Sequence, residues 1–169
     1  YNMPMRITAI TRRKKAIVPS YISQVAPSES SVIKRVAYEP LFLRHLRDEN
    51  NIKGVKKVSL HEPLTGLLRV TVITCDANMP RTEIWRALYS AAFFKGDCSK
   101  ICIAVNEDID VDNADALLWA MSYRTNPSED MQTLPHRGQG HGPKREHDGE
   151  EDSSVLIDAT MKSPMPPLA

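Results

Sequence analysis

The sequence is short of most features that would mark a specialised protein. Its three cysteines, Cys75, Cys98 and Cys102, are odd in number and too few for a disulfide framework or a closed zinc site. A reducing, cytoplasmic setting is therefore expected. Apolar runs extend only a few residues, so no segment is long enough to cross a bilayer. An excess of one charge is also absent: 22 basic against 21 acidic residues leave +1, and no global field points to nucleic acid or an acidic partner. Aromatic residues make up only 6%, and none interleave the run Arg12-Arg13-Lys14-Lys15, which reads as a solvated turn rather than a nucleic-acid patch. The start at Tyr1 has neither an initiator Met nor the basic-then-apolar order of a signal peptide, which suggests a chain cut from something longer.

What is present is ordinary globular composition. In 169 residues, 41% are apolar and 25% charged, enough for one domain with a buried core. The neutral sum conceals a gradient. Residues 1–50 hold nine Lys/Arg against four Asp/Glu (+5), residues 51–126 nine against nine (0), and residues 127–169 four against eight (−4).

Periodicity predicts an α/β fold with a small mixed sheet, a βαβ unit and flanking helices, preceded by a short β segment. Met5 to Ile10 alternates loosely as a strand, and Ala16 to Ser20 reads as a second extended piece that Pro19 confines to an edge. Ser28 can cap a helix bearing Val32, Ile33, Val36 and Ala37 on one face. The Glu39-Pro40 step is expected to break or restart it, with a second helix from Leu41 to about Glu49. Val55–His61 and Leu67–Thr74 read as a hairpin joined by Glu62-Pro-Leu-Thr-Gly66. Pro80 to Phe94 is helical, with Ile84, Leu88, Ala91 and Ala92 on one stripe and Gly96 as a C-cap. The apolar run Ile101–Val105 has the composition of a strand covered on both faces. Asp112 is positioned to cap a helix to about Tyr123 with Ala114, Leu117, Leu118 and Met121 inward. Val155–Ile157 can return one more strand. These elements divide the chain into a linker and strand segment (1–20), an α/β domain (21–134), a flexible Gly/His-rich loop (135–153), and a returning strand with an extended tail (154–169).

Few residues in this pattern point to chemistry. The acidic stretch Glu107 to Asp115 invites a calcium reading, but counting from Asp108 puts Asn113 where an EF-hand needs glycine and Trp119 where it needs a bidentate Glu. Asp115 is placed instead in the first turn of the following helix. The stretch also follows a buried strand, at the end of the sheet where open α/β folds bind ligands. His136, His141 and His147 lie in the polar loop without Cys or regularly spaced carboxylate partners, so no metal site is assigned there. The glycines from Gly138 to Gly142 match neither a phosphate loop nor a dinucleotide fingerprint. Cys102 belongs to the core and Cys98 to a loop, which excludes a redox pair. No nucleophile–base pair stands out.

Three stretches nevertheless resemble one family. Ile7-Thr-Ala-Ile-Thr-Arg-Arg-Lys14 is similar to an "ITxRK" motif. Lys100-Ile-Cys-Ile-Ala-Val-Asn-Glu-Asp-Ile-Asp110, continuing through Leu118-Trp-Ala120 to Arg124-Thr-Asn-Pro127, is similar to "VDEDID…WA…TR.DP". Leu156-Ile-Asp-Ala-Thr-Met-Lys162 is similar to "GIDATxK". These motifs, in this order, resemble the C-terminal part of the UbiD-type decarboxylases, the carboxy-lyases of aromatic and unsaturated acids.

The resemblance implies an intact enzyme about three times longer, a lyase using prenylated FMN and a divalent metal such as Mn. Its cofactor pocket and catalytic residues would lie in an N-terminal domain, so none is assigned to this chain, and the chain alone is expected to be inactive. The C-terminal domain would pack against its own N-terminal cofactor domain, form a homo-oligomer and close over the active site. Lys95 is the counterpart of a lysine that reaches the cofactor phosphate in some relatives, although a cation at a helix C-terminus also has a dipole explanation. Asp108, Asp110, Arg124, Asp158, Thr160 and Lys162 match family motifs and are expected to be structural. The residues between the Arg-x-x-Pro and Asp-Ala-Thr motifs depart from the quinone-pathway members, which favours a smaller aromatic, phenolic or heteroaromatic acid at least equally. The alternative is a free-standing structural or regulatory subunit of a multi-subunit carboxylase.

Overall fold

A computed structural model describes residues 4–18, 28–61, 69–95, 99–138 and 151–162. The extended piece at Pro19 and Ser20, the turn Glu62–Gly66, Gly96, Cys98, Gly140, Gly142, His141, His147 and the tail from Ser163 lie outside them.

Ser28 begins α1 (Glu29–Arg44) through a capping box: its hydroxyl accepts the Ser31 N–H, and the Ser31 hydroxyl accepts the Ser28 N–H. The expected break at Pro40 does not occur. Pro40 sits inside α1, which runs on into a π-helical turn, His45–Glu49. Phe42 and Leu46, both fully buried, hold this region to the core on either side of the change in pitch.

Five strands form one sheet in the order β1-β2-β3-β5-β4. β1 (Val55–Leu60) and β2 (Val70–Cys75) pair antiparallel, as the hairpin reading requires. β2 and β3 (Ile101–Asn106) are parallel, joined through α2 (Arg81–Phe94), which makes the βαβ unit. β5 (Glu151–Asp158) lies parallel to β3, and β4 (Met131–Gly138) closes the far edge antiparallel to β5. α3 (Ala114–Tyr123) and a single turn, α4 (Pro127–Asp130), connect β3 to β4.

Two parts of the chain depart from the sequence reading. Residues 135–138 and 151–153, expected in the polar loop, are strand. Pro135 is compatible with β4 because that strand is an edge, with its ladder interrupted by a bulge between Leu134 and Arg137 where His136 takes φ 58°. The expected strand at Met5–Ile10 has no sheet partner. Residues 4–18 form neither helix nor strand, and Met5, Ile7 and Ile10 are 85%, 64% and 80% exposed.

Alternation along the inner strands distributes the core to both faces of the sheet. On one face, Ile73, Cys102, Ala104 and Leu156 meet Phe42, Leu46, Leu88, Ala91 and Ala92 from the helices. On the other, Val72, Ile103, Val105 and Ile157 meet Leu117 and Ala120 of α3. Leu118, expected inward, is 60% exposed, because Leu117 and Ala120 supply the inner line.

Candidate functional site

The parallel strands β2, β3 and β5 end at a common edge, the location where α/β sheets gather functional residues. Asn106 at the end of β3 spans it. Its side-chain oxygen accepts the Met161 N–H at 2.7 Å, and its amide donates to the Asp76 carbonyl at 3.5 Å.

Next to it lies a ring of four charges, two buried carboxylates and two cations that reach the surface, Arg81 being 51% exposed. Asp158, at the end of β5 and fully buried, accepts the Thr160 N–H at 3.0 Å and the Thr160 hydroxyl at 2.6 Å on Oδ1. Lys162 Nζ stands 3.1 Å from the same oxygen and donates to the carbonyls of Asp158 (2.5 Å) and Thr160 (3.1 Å). Asp130, the last residue of α4, accepts the Asn126 N–H at 2.8 Å and the Arg81 guanidinium at 2.9 Å, with Lys162 Nζ 3.6 Å away. Arg81 also donates to the Glu129 carbonyl, and its Nε lies 3.9 Å from Asp158 Oδ2. Two cations thus balance two carboxylates that burial would otherwise penalise heavily. The ring ties the start of α2, the junction of α4 with β4 and the end of β5 to one another. Cys75 lies close by. Burial, with the Asp158 charge adding to it, pushes its thiol up to about 12, so it stays neutral and is no nucleophile.

The acidic stretch after β3 is also committed to internal partners. Asp108 takes a two-pronged pair from Arg124, at 3.1 and 2.5 Å, and that hydrogen-bonded guanidinium holds its carboxyl below the usual range despite partial burial. Arg124 in turn stands 5.2 Å from the centre of the Trp119 ring. Asp110 accepts the Asp112 N–H. The expected cap of α3 is displaced by one residue: Asn113 accepts the N–H groups of Asp115 and Ala116, whereas Asp112 reaches Arg35 at 2.6 Å and Lys57 at 3.6 Å. The Arg35 hydrogen bond lowers the Asp112 pKa. Asp115 occupies the first turn of α3, as expected.

The opposite end of the sheet carries Lys95 and a second set of cations. Lys95 follows α2 in extended conformation, half-buried, with Nζ 5.3 Å from the centre of the Tyr38 ring. Arg137, buried in β4, donates to the carbonyls of Ala92 and Lys95 and stands 4.7 Å from the Phe93 ring centre. A strand arginine thus satisfies carbonyls at the end of α2, beside Lys95. Beside it Lys100 grips Asp152 at 2.7 and 2.9 Å, and Arg69 lies 3.9 Å from the same carboxylate.

Asp158, Thr160 and Lys162 thus converge, Asp108 meets Arg124, and Asp110 and Lys95 stand apart from both groups. Sequence reading missed Arg81, Asp130 and Arg137. Each of the three finds a partner far away in sequence, which no local pattern marks. A shallow cleft of about 330 Å³, lined in part by Asn51, Lys53, Gly54, Asp76 and Glu83, opens beside the start of α2. Among the described residues, no three His, Cys, Asp or Glu side chains are grouped to hold a metal ion, and no helix is long and apolar enough to cross a membrane.

A mixed sheet with helices on both faces and ion pairs at its edges defines an α/β module. Residues 32–159 match the 3-octaprenyl-4-hydroxybenzoate carboxy-lyase C-terminal domain, and the chain belongs to this UbiD family. The fold is shared with the UbiD-class enzyme HmfF from Pelotomaculum thermopropionicum, solved with FMN, at 19% identity and a TM-score of 0.70 over 82% of this chain and 30% of that one. A 3,4-dihydroxybenzoic acid decarboxylase from Enterobacter cloacae gives 17% and 0.68 over 82% and 32%. The vanillic acid decarboxylase of Sedimentibacter hydroxybenzoicus in its closed form gives 20% and 0.54 over 77% and 26%. The chain thus spans about a third or less of these proteins. No curated protein matches it by sequence.

Proposed function

We propose that the intact protein is a carboxy-lyase that adds or removes CO₂ on an aromatic or α,β-unsaturated acid, using prenylated FMN and a divalent metal such as Mn. This chain is its C-terminal module. Residues 1–20 join it to an N-terminal cofactor domain, and the α/β body serves assembly of a homo-oligomer and closure over the active site. The observation that carries this reading is the match of residues 32–159, which takes in nearly the whole sheet and its helices, to the C-terminal domain of the carboxy-lyase family. The similar decarboxylases named for 3,4-dihydroxybenzoic and vanillic acids support a small phenolic substrate.

When bound, the prenylated flavin would supply the sink for the electron pair left on the substrate carbon as CO₂ departs. The residues here fit only a peripheral contact to such a group. Lys95 would meet its phosphate, with Arg137 offsetting the negative end of α2 beneath it. The clustered carboxylates are already paired with Arg and Lys and do not fit the metal.

Two measurements test this. The chain incubated with prenylated FMN and Mn²⁺ is expected to form no yellow complex and release no CO₂; turnover by the chain alone overturns the proposed division of labour. In the full-length protein, Lys95→Met is expected to weaken cofactor retention about ten-fold, the loss of one charge-assisted contact. Unchanged retention removes Lys95 from the site.

A further inference from the structure

The π-turn at the end of α1 is closed by its own histidine and by the residue that follows the turn. The Asn50 N–H donates to the His45 carbonyl at 3.0 Å, and the Asn50 side-chain amide donates to the same carbonyl at 2.8 Å while standing 3.0 Å from Nε2 of the His45 ring. On the other side of the ring, Nδ1 lies 2.8 Å from Glu49 Oε2. The imidazole, 23% exposed, rests on Phe94 of α2 with ring centres 4.7 Å apart, and the Asn50 carbonyl accepts a hydrogen bond from Arg86 of the same helix. His45 and Asn50 together therefore close the turn and hold it on α2.

A carbonyl oxygen only accepts, so the end of the Asn50 amide beside the His45 carbonyl is the NH₂ group. One of its hydrogens serves that carbonyl and the other is left for Nε2, which must offer a lone pair. A neutral imidazole that accepts at Nε2 carries its hydrogen on Nδ1, where Glu49 accepts it. A protonated imidazole carries hydrogens on both nitrogens, so its Nε2–H would meet the amide hydrogens. Turning the amide over offers no escape, because it sets Oδ1 against the His45 carbonyl oxygen. Glu49 works in the opposite sense. The hydrogen bond from His45, ahead of the Arg44 charge, holds its carboxyl below the usual range, so it stays an anion that favours proton uptake by the ring. The cations opposing uptake are Arg44, 3.2 Å from Glu49, and Arg86, itself paired with Glu83 at 2.9 Å. Lys95 follows Phe94 but has its Nζ over the Tyr38 ring, and Arg47 and Asp48 of the turn are exposed. We infer that His45 and Asn50 form a proton-operated latch: neutral His45 holds the Asn50 amide and keeps the turn closed, and a proton taken from solvent at Nε2 expels the amide and opens the turn. Histidine is the side chain suited to such a change between about pH 5 and 8. The latch belongs to the helix end and does not depend on the carboxy-lyase reading.

Proton–nitrogen NMR correlation on the 169-residue chain carrying isotope-labelled histidine reads the two ring nitrogens directly, the His45 signals being those missing from His45→Gln. At about pH 8, His45 is expected to carry its hydrogen on Nδ1 and to leave Nε2 bare. The opposite tautomer overturns the inference. The protection of the Asn50 N–H against hydrogen exchange, corrected for the intrinsic effect of pH, is expected to fall about five-fold as the ring takes up its proton, the loss of one hydrogen bond. Protection that stays constant while the ring titrates overturns the inference as well. In Asn50→Asp a carboxylate meets Nε2, so the dependence should reverse, with the N–H at position 50 better protected when the ring is protonated. A folded Asn50→Asp chain that loses protection just as the parent does removes the side chain from the latch and refutes it. Should that variant fail to fold, the tautomer and the exchange profile of the parent chain decide.

Discussion

The two ends of the parallel sheet use the same residue types in different ways. At the carboxyl end, Asp130 and Asp158 are almost wholly withdrawn from water, and their partners Arg81 and Lys162 close a ring with them. At the amino end, Arg137 is the buried charge, and its partners are helix carbonyls and the Ser154 hydroxyl instead of a carboxylate. Among the described residues there, Asp152 sits between Lys100 and Arg69, and Glu151 pairs with His136. One end is electrically closed and mechanical. The other holds its buried arginine on helix carbonyls, beside Lys95, for which the phosphate contact is proposed.

Removing an anion from the closed end should have the largest effect. Asp158→Ala leaves Arg81 and Lys162 with Asp130 alone for a carboxylate and removes the acceptor of both buried Thr160 donors, and urea unfolding should register a loss of about 3–5 kcal/mol. A loss below about 1 kcal/mol would mean that the ring behaves as a surface pair and that the contrast between the two ends is false. Arg137→Met should cost less, about 1–3 kcal/mol for the carbonyls left unpaired at the end of α2. Hydrogen exchange should locate that loss in the last turn of α2 and spare the Asp158 turn. Protection lost equally at both ends would show that they are one unit.

The smallest effect concerns the pair of Asp108, itself exposed, and Arg124. The hydrogen bond from Arg124 lowers the Asp108 pKa in the folded state. Its contribution to stability is therefore complete above the unfolded value of about 3.9 and declines as pH falls through the lower folded value. Asp108→Asn should flatten the acid limb of the stability curve in that window and leave it unchanged near neutrality apart from a constant offset. Titration of the Asp108 carboxyl carbon by NMR should move upward in Arg124→Gln; no movement would detach the pair from the shift.

Much of the fold was legible because it depends on neighbours in sequence. The Ser28 cap, the period of Ile84, Leu88 and Ala91, and the unbroken apolar run Ile101–Val105 each specify their element locally. β4 was not legible. Its exposed, polar residues become a strand only through pairing with β5, which lies beyond the long polar stretch. The cap of α3 failed for a related reason: Asp112 and Asn113 are equivalent candidates by type, and Arg35, 77 positions away, draws Asp112 off. The site was legible at the "GIDATxK"-like end, where Asp158, Thr160 and Lys162 lie within one turn. Arg81 and Asp130 were not, being 49 positions apart.

By itself the sequence determined the α/β class, the hairpin and βαβ units, and the family motifs, since local propensity, period and residue spacing are properties of short stretches. Only the tertiary structure decided which charges meet, that Arg137 reaches the carbonyls at the end of α2, and that α1 runs through Pro40. Those outcomes depend on long-range pairs and on burial. The same Asp is a solvated charge or half of a buried pair according to what distant chain is folded against it.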